Sequence, residues 1–340
     1  MTALWIILIQ EAVLIPNQWY VVLQSRELKK GKPLGTTRLG EKMVFWRVLN
    51  GNPVCQADQC PHRGAALSIG CLMENTIQCP FHGFEYDQTG KCTLVPANGR
   101  ASVPPNVLKV KSYPCKEAHG FIYIWYGEPQ ESYPELPWFE ELESSFFTSD
   151  LKDHWTVHYS RAIENQLDVF HLPFVHATTI GRGGRTIADG PITTIDEKNL
   201  EIWVHNRVDD GKTTAVRASA LPVPQREPFL KFKFPHLWMN NIAQDFRLTV
   251  FFTPIDDENC ILYLRSHQRF VRVPLIGNLV AQLITPSNRI ILNQDKRVVL
   301  TQVPKKTSRT MGEKLIPADK PIIDYRTMRE KLQKEAAIKN

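Results

Sequence analysis

Cys60-Pro61-His62-Arg63-Gly64 and Cys79-Pro80-Phe81-His82-Gly83 are the stretches on which the reading of this chain turns. Each sets a thiol, an imidazole and a glycine within five residues, and 16 residues separate His62 from Cys79. Two loops are thus armed alike. Gly64 and Gly83 stand where a backbone must pass close to something or take a positive φ. Outward from these loops the chain reads as short strands and turns, among them Trp19–Leu23, Lys42–Val48 and Phe121–Trp125. Asn50-Gly51 is a hairpin signal after the second of these. The pattern predicts a small antiparallel β unit.

Two Cys and two His serve three chemistries. A structural zinc accepts these ligands, but at finger spacings of two to four residues between cysteines and three to five between histidines, which this chain lacks. A chance cluster of core residues does not account for the duplicated C-x-H and C-x2-H pattern. A Rieske [2Fe–2S] centre, in which two His replace two Cys on one iron, does.

A second constellation follows, with Asn165, Asp168, His171 and His176 in N-x2-D-x2-H-x4-H order. On a helix over Tyr159–Leu172, Asp168 and His171 share a face. His176 would stand about 140° round from His171 if that helix continued. Pro173 disfavours α geometry at Leu172 and lets the chain turn His176 back. Two imidazoles and one carboxylate make the facial triad of Fe(II) sites, which leaves positions open for O2 and substrate. Asp295 supplies the carboxylate, because in a helix over Ser287–Gln302 its neighbours are Ile291, Leu292, Val298 and Val299. A bare charge in an apolar stripe is costly, and metal ligation relieves it. The alternative is a buried salt bridge to an arginine.

Length and composition frame these sites. The 340 residues suffice for two domains, and 43% hydrophobic with 22% charged residues is ordinary globular composition. Lys and Arg outnumber Asp and Glu by 41 to 35 without dense basic runs, which argues against a nucleic-acid binder. Pro129, Pro134 and Pro137 fit neither a helix nor a central strand. Residues 129–137 therefore read as a linker between domains at 17–128 and 138–340, with residues 1–16 as a leader. Asp196–Val208 reads as a strand, and Arg247–Phe252 with Cys260–Gln268 as a hairpin, so two helices against an antiparallel sheet make an α+β arrangement. Ala3–Ile9 is far short of the roughly 20 residues of a spanning helix, and Met1–Pro16 has no Lys or Arg for a secretory signal. No transmembrane segment is expected. Seven cysteines, an odd number spread thinly, point to a reducing cytoplasm, with Cys71 and Cys92 as buried thiols.

The two Cys/His loops resemble the Rieske domain of non-haem iron oxygenases. From Trp19 to about Lys331, including Gln294-Asp295-Lys296 and Asp324-Tyr325-Arg326, the chain resembles the oxygenase (alpha) subunit of the vanillate and dicamba O-demethylase type. The resemblance implies an all-β Rieske domain followed by a helix-grip, START-like catalytic domain with a curved antiparallel sheet. It implies that Cys60 and Cys79 hold one iron of the cluster and His62 and His82 the other. Respiratory Rieske proteins add a disulfide, and the equivalent positions here look to be Ala65 and Phe81. It also assigns His171, His176 and Asp295 to a mononuclear Fe(II), and Asp168, with Asn165 beside it, to a bridge between metal centres of neighbouring subunits in a homotrimer.

The activity so implied is a monooxygenase, hydroxylating or O-/N-dealkylating a small aromatic or polycyclic molecule with O2. A desaturase or oxidative cyclase on the same scaffold, or a Rieske electron carrier, are the alternatives. The carrier leaves Asp168, His171, His176 and Asp295 unexplained. There is no G-x-G-x-x-G fingerprint, so electrons are expected from a separate reductase or ferredoxin. Lys91, Arg100, Lys109 and Lys111 offer a basic rim for it. Phe229, Phe232, Phe234, Trp238, Phe246 and Phe251 are candidates for the pocket or simply for a sheet core.

Overall fold

The computed structural model describes residues 14–142 and 145–338. The N-terminal strands are β1 (Gln18–Gln24), β2 (Leu34–Arg38), β3 (Glu41–Arg47), β4 (Pro53–Ala57), β5 (Cys71–Leu72), β6 (Thr76–Gln78), β7 (Glu85–Asp87), β8 (Cys92–Leu94), β9 (Ser112–Tyr113), β10 (Cys115–Ala118) and β11 (Phe121–Tyr126). They form three antiparallel sheets ordered β1-β11-β10, β2-β3-β4-β9 and β5-β6-β7-β8. Alternation along β3 divides its apolar run between two cores: Met43 and Phe45 face one, Val44 and Trp46 the other. The expected hairpin joins β3 to β4, with Gly51 at φ +93°.

The C-terminal part comprises β12 (Phe147–Trp155), α1 (Tyr159–Leu167), α2 (Leu172–Val175), β13 (Ile187–Asp196), β14 (Asn199–Arg207), β15 (Leu230–Lys233), β16 (Leu237–Ala243), β17 (Phe246–Pro254), β18 (Cys260–Gln268), α3 (Pro274–Val299) and α4 (Lys320–Ile338). Its strands make one seven-stranded antiparallel sheet, β12-β18-β17-β16-β15-β14-β13. Residues such as Trp238, Val250, Phe252, Leu262 and Leu264 face the core that α1, α3 and α4 close. Leu237, Met239, Phe251 and Tyr263 point the other way, onto Trp19, Val21, Phe121, Tyr123 and Trp125 of β1 and β11. The fold is α+β, an all-β N-terminal half packed on a sheet with few helices.

Several sequence expectations change in detail. The helix expected over Tyr159–Leu172 stops at Leu167, where Asp168 takes an extended conformation at φ −69°, ψ 128°. Leu172 is helical as the first residue of α2, so the turn is made by Asp168 to Phe170 and not by Pro173. The helix expected from Ser287 begins at Pro274 and runs through Pro286. The strand expected over Asp196–Val208 is split from its neighbour by Glu197, at φ +46°. Helix α4 was not anticipated; it buries Ile322, Tyr325, Met328 and Leu332.

The segment read as a linker is docked, since Trp19 Nε1 donates to Pro134 O at 2.9 Å and the Tyr133 ring meets Trp19 and Trp125. Of the leader, Leu14 and Ile15 are buried, while Ala3–Ile9 lies outside the described residues. Among the described residues no helix is long and apolar enough to cross a membrane.

Candidate functional site

The two Cys/His loops share one backbone design. Cys60 N donates to Ala65 O and Gly64 N to Cys60 O, both at 2.8 Å; Cys79 N donates to Phe84 O at 2.8 Å and Gly83 N to Cys79 O at 3.1 Å. Each closure needs a left-handed residue, and Gly64 and Gly83 supply it at φ +77° and +71°. The loops direct Cys60 and Cys79 into the protein and leave His62 and His82 exposed, their ring centroids 4.7 Å apart. Phe84 stacks on His62, and the buried Tyr86 hydroxyl lies 3.1 Å from Cys60 Sγ. Burial, and then the neighbouring Cys60, push the Cys79 thiol up. Two sulfurs buried together ionise readily only beside a cation, which iron would supply. The donor set fits a [2Fe–2S] group. Cys92 is buried as expected, but Cys71 is exposed, because the two-residue strand β5 turns it to the surface.

In the second constellation, one ligand atom from each of His171, His176 and Asp295 lies within 4.8 Å of the other two. Asp295 Oδ1 is 3.0 Å from His176 Nε2 and 3.5 Å from His171 Nε2. That oxygen is buried and receives no well-aligned hydrogen bond. No arginine reaches it among the described residues, so the salt-bridge alternative falls away. Burial alone would lower the His171 pKa, but Asp168 and Asp295 outweigh it and raise it to about 9. Burial alone would raise the Asp295 carboxyl, but His171 and His176 hold it below the ordinary range. The pocket favours a positive charge, and a divalent cation on two imidazoles and a carboxylate fits it.

The elements explain the placement. Asp168 caps α1, and its Oδ1 accepts from Phe170 N at 2.8 Å and His171 N at 3.1 Å. The same oxygen stands 3.5 Å from His171 Nδ1. Proximity therefore comes from this local turn and not from a shared helix face. Asn165 sits on the last turn of α1 with its Nδ2 buried and unpaired. Two residues that the motif did not single out complete the site. Gln166 Nε2 donates to Asp295 Oδ2 at 3.2 Å, and Gln294 Oε1 lies 2.8 Å from His176 Nδ1. Gln294 precedes Asp295 on α3, which is the signal that could have found it.

A cavity of about 290 Å³ opens on the triad. Trp238, Leu248, Leu264 and Ile291 make its walls apolar, with Asn240 and Asn288 as polar points. Trp238 Nε1 and Asn240 Oδ1 are buried without partners. Of the aromatic candidates, Phe229, Trp238 and Phe246 line this cavity, while Phe232, Phe234 and Phe251 belong to the cores. Of the basic rim, Lys91, Arg100 and Lys109 are exposed, whereas Lys111 is paired with Glu41.

Residues 18–114 match the family described as Rieske [2Fe-2S] domain, and residues 155–335 match the vanillate O-demethylase oxygenase C-terminal domain. Chlorophyllide a oxygenase of Chlamydomonas reinhardtii is 35% identical over 169 residues, 49% of this chain and 25% of that protein. The vanillate O-demethylase oxygenase subunit of Pseudomonas sp. (strain HR199 / DSM 7063) is 33% identical over 182 residues, 52% and 49% of the two chains. Each match thus spans half or less of the curated relative. In fold, the crystal structure of dicamba monooxygenase bound to dicamba superposes with a TM-score of 0.72 at 22% identity, covering 96% of this chain and 99% of that one.

Proposed function

The chain belongs to the Rieske oxygenases with a catalytic half of the vanillate O-demethylase type, and we propose that it is a monooxygenase that hydroxylates, or removes an O- or N-methyl group from, a small aromatic or polycyclic molecule. The observation that carries this reading is the buried His171, His176 and Asp295 triad at the wall of an apolar cavity, on the same chain as the Cys60/His62/Cys79/His82 loops. When bound, the [2Fe–2S] cluster supplies single electrons and the mononuclear iron activates O2.

The protein's own groups do the rest. Cys60 and Cys79 would hold one iron of the cluster, and the exposed His62 and His82 the other. The cavity walls exclude water and hold an apolar body, while Trp238 Nε1 donates to, and Asn240 Oδ1 accepts from, its polar substituents. Asp168 Oδ1, 3.5 Å from His171 Nδ1, faces the ring and steadies it, as carboxylates do for metal-bound imidazoles. Asn165 stands three residues before Asp168, its buried Nδ2 left to donate in the working site. In the assembly, a head-to-tail homotrimer, Asp168 also reaches a cluster histidine of the next subunit. Electrons come from a separate reductase or ferredoxin attracted by Lys91, Arg100 and Lys109. None of the seven cysteines is joined in a disulfide, which suits a cytoplasmic setting.

Substrate-dependent uptake of labelled O2 tests the reading, with methoxylated aromatics, N-methyl heterocycles and sterol-like compounds as the panel. Label in a hydroxylated product, or in the formaldehyde released beside a demethylated one, supports it. A product lacking both label and a lost methyl group would place the enzyme among desaturases, and a chain with about two irons in place of three would make it an electron carrier.

A further inference from the structure

Helix α3 is apolar on two opposite faces. One face packs inward through Gly277, Ala281, Leu292, Asp295 and Val299. The other carries Leu275, Leu279 and Leu283 at four-residue spacing, 86%, 60% and 67% exposed. Ile276 and Ile290 widen the stripe, and the exposed Phe270 and Val273 extend it into the preceding turn. A helix on a globular protein places polar residues on its solvent side; a contiguous apolar patch there marks a surface made for contact.

Charge and position identify what it contacts. From Arg269 to Gln294 the chain holds no Asp or Glu, while Arg272 and Arg289 are exposed beside the stripe. A second copy related by a two-fold axis would set these arginines against their own kind. An anionic surface would not. The stripe also approaches the cavity: Ile284 of α3 and the half-exposed Ile242 line it, and so does Phe246, whose ring lies 6.4 Å from that of Phe270, beside the Arg269–Asp245 ion pair.

We propose that this face docks on an anionic lipid bilayer. Leu275, Leu279 and Leu283 enter the boundary between headgroups and acyl chains, Arg272 and Arg289 meet lipid phosphates, and an apolar substrate dissolved in the lipid enters past Phe270 and Phe246. Docking stands on exposed residues alone; only the delivery route rests on the cavity being the substrate site.

The test is co-sedimentation of the iron-loaded protein with vesicles of phosphatidylcholine, alone or with phosphatidylglycerol. Binding to the anionic vesicles that weakens with salt is expected, with a loss of about tenfold or more for the Leu279→Gln/Leu283→Gln pair and about fivefold for each of Arg272→Gln and Arg289→Gln. Unchanged cluster absorbance and iron content certify that the variants are folded. Wild-type protein left in the supernatant with both vesicle types, or variants that bind as well as wild type, would overturn the proposal. So would an oligomer that falls apart in the double leucine variant, since a second copy would then cover the face. Turnover of a water-soluble substrate without vesicles reads the proposed activity separately.

Discussion

His176 and Gln294 fix each other: Nδ1 of the ring lies 2.8 Å from the amide oxygen, which also accepts from Thr179 Oγ1 at 2.8 Å. An oxygen can only accept, so the proton sits on Nδ1 and the Nε2 lone pair faces Asp295. Gln294→Leu should therefore release the tautomer and weaken iron binding by about 10- to 100-fold. Titration of iron into metal-free protein measures this, and unchanged affinity would deny Gln294 the role.

Asp295→Ala should lower iron from about three to about two per chain, leave the cluster spectrum intact and abolish turnover, because the two sites are built from separate segments. Iron analysis beside the visible spectrum decides it.

Asp168→Asn keeps an oxygen for Phe170 N and His171 N, so the turn should hold. Both metal sites and the oligomer should survive, while oxidation of the reduced cluster with substrate and O2 slows by orders of magnitude. Single-turnover absorbance at the cluster band reads this directly; a wild-type rate would remove Asp168 from the electron route.

Arg326 of α4 grips Glu164 of α1 through Nε at 2.8 Å and Nη2 at 2.6 Å, and Glu313 at 2.6 Å. Glu164 and Arg326 are both buried. Arg326→Met leaves the buried Glu164 with only Arg161 Nη1 at 3.8 Å and should cost about 3 kcal/mol, a fall in melting temperature of roughly 6–12 °C. A thermal melt followed at the cluster absorbance would show it.

Burial pushes His158, His236 and His267 down to about 3 each. Their folded pKa values lie below the unfolded value of about 6.5. The stability they contribute is present above pH 6.5 and is lost as pH falls toward 3, by up to about 1.4 kcal/mol per pH unit for each. Urea midpoints at pH 7 and pH 5 should differ accordingly. His236→Gln should flatten the slope while still offering an oxygen to Val21 N, which His236 Nε2 accepts at 2.9 Å.

The sequence was most legible where chemistry constrains it twice. Asp295 announced itself because a carboxylate among Ile291, Leu292, Val298 and Val299 has few uses. The paired loops did so because their spacing matches one cofactor. Backbone events were harder to see. The stop at Leu167 depends on the Asp168 side chain preferring Phe170 N and His171 N to another helical turn, a competition that helical periodicity hides. The first half of α3 escaped because Pro286 reads as a stop and because its outer face lacks the polar residues that mark an amphipathic helix. Helix α4 is readable from Ile322, Tyr325, Met328 and Leu332 at helical spacing.

Strands β1 and β11 have no idle side: Trp19, Val21, Phe121, Tyr123 and Trp125 press on the seven-stranded sheet, while Tyr20, Val22, Ile122 and Ile124 fill the opposite core. A swinging arm needs a seam along which two bodies can part, and these side chains fill both sides of it. The cluster loops are thus bolted to the frame that carries the iron triad. Within one chain, the span between those loops and the triad is therefore a fixed length and not a variable one.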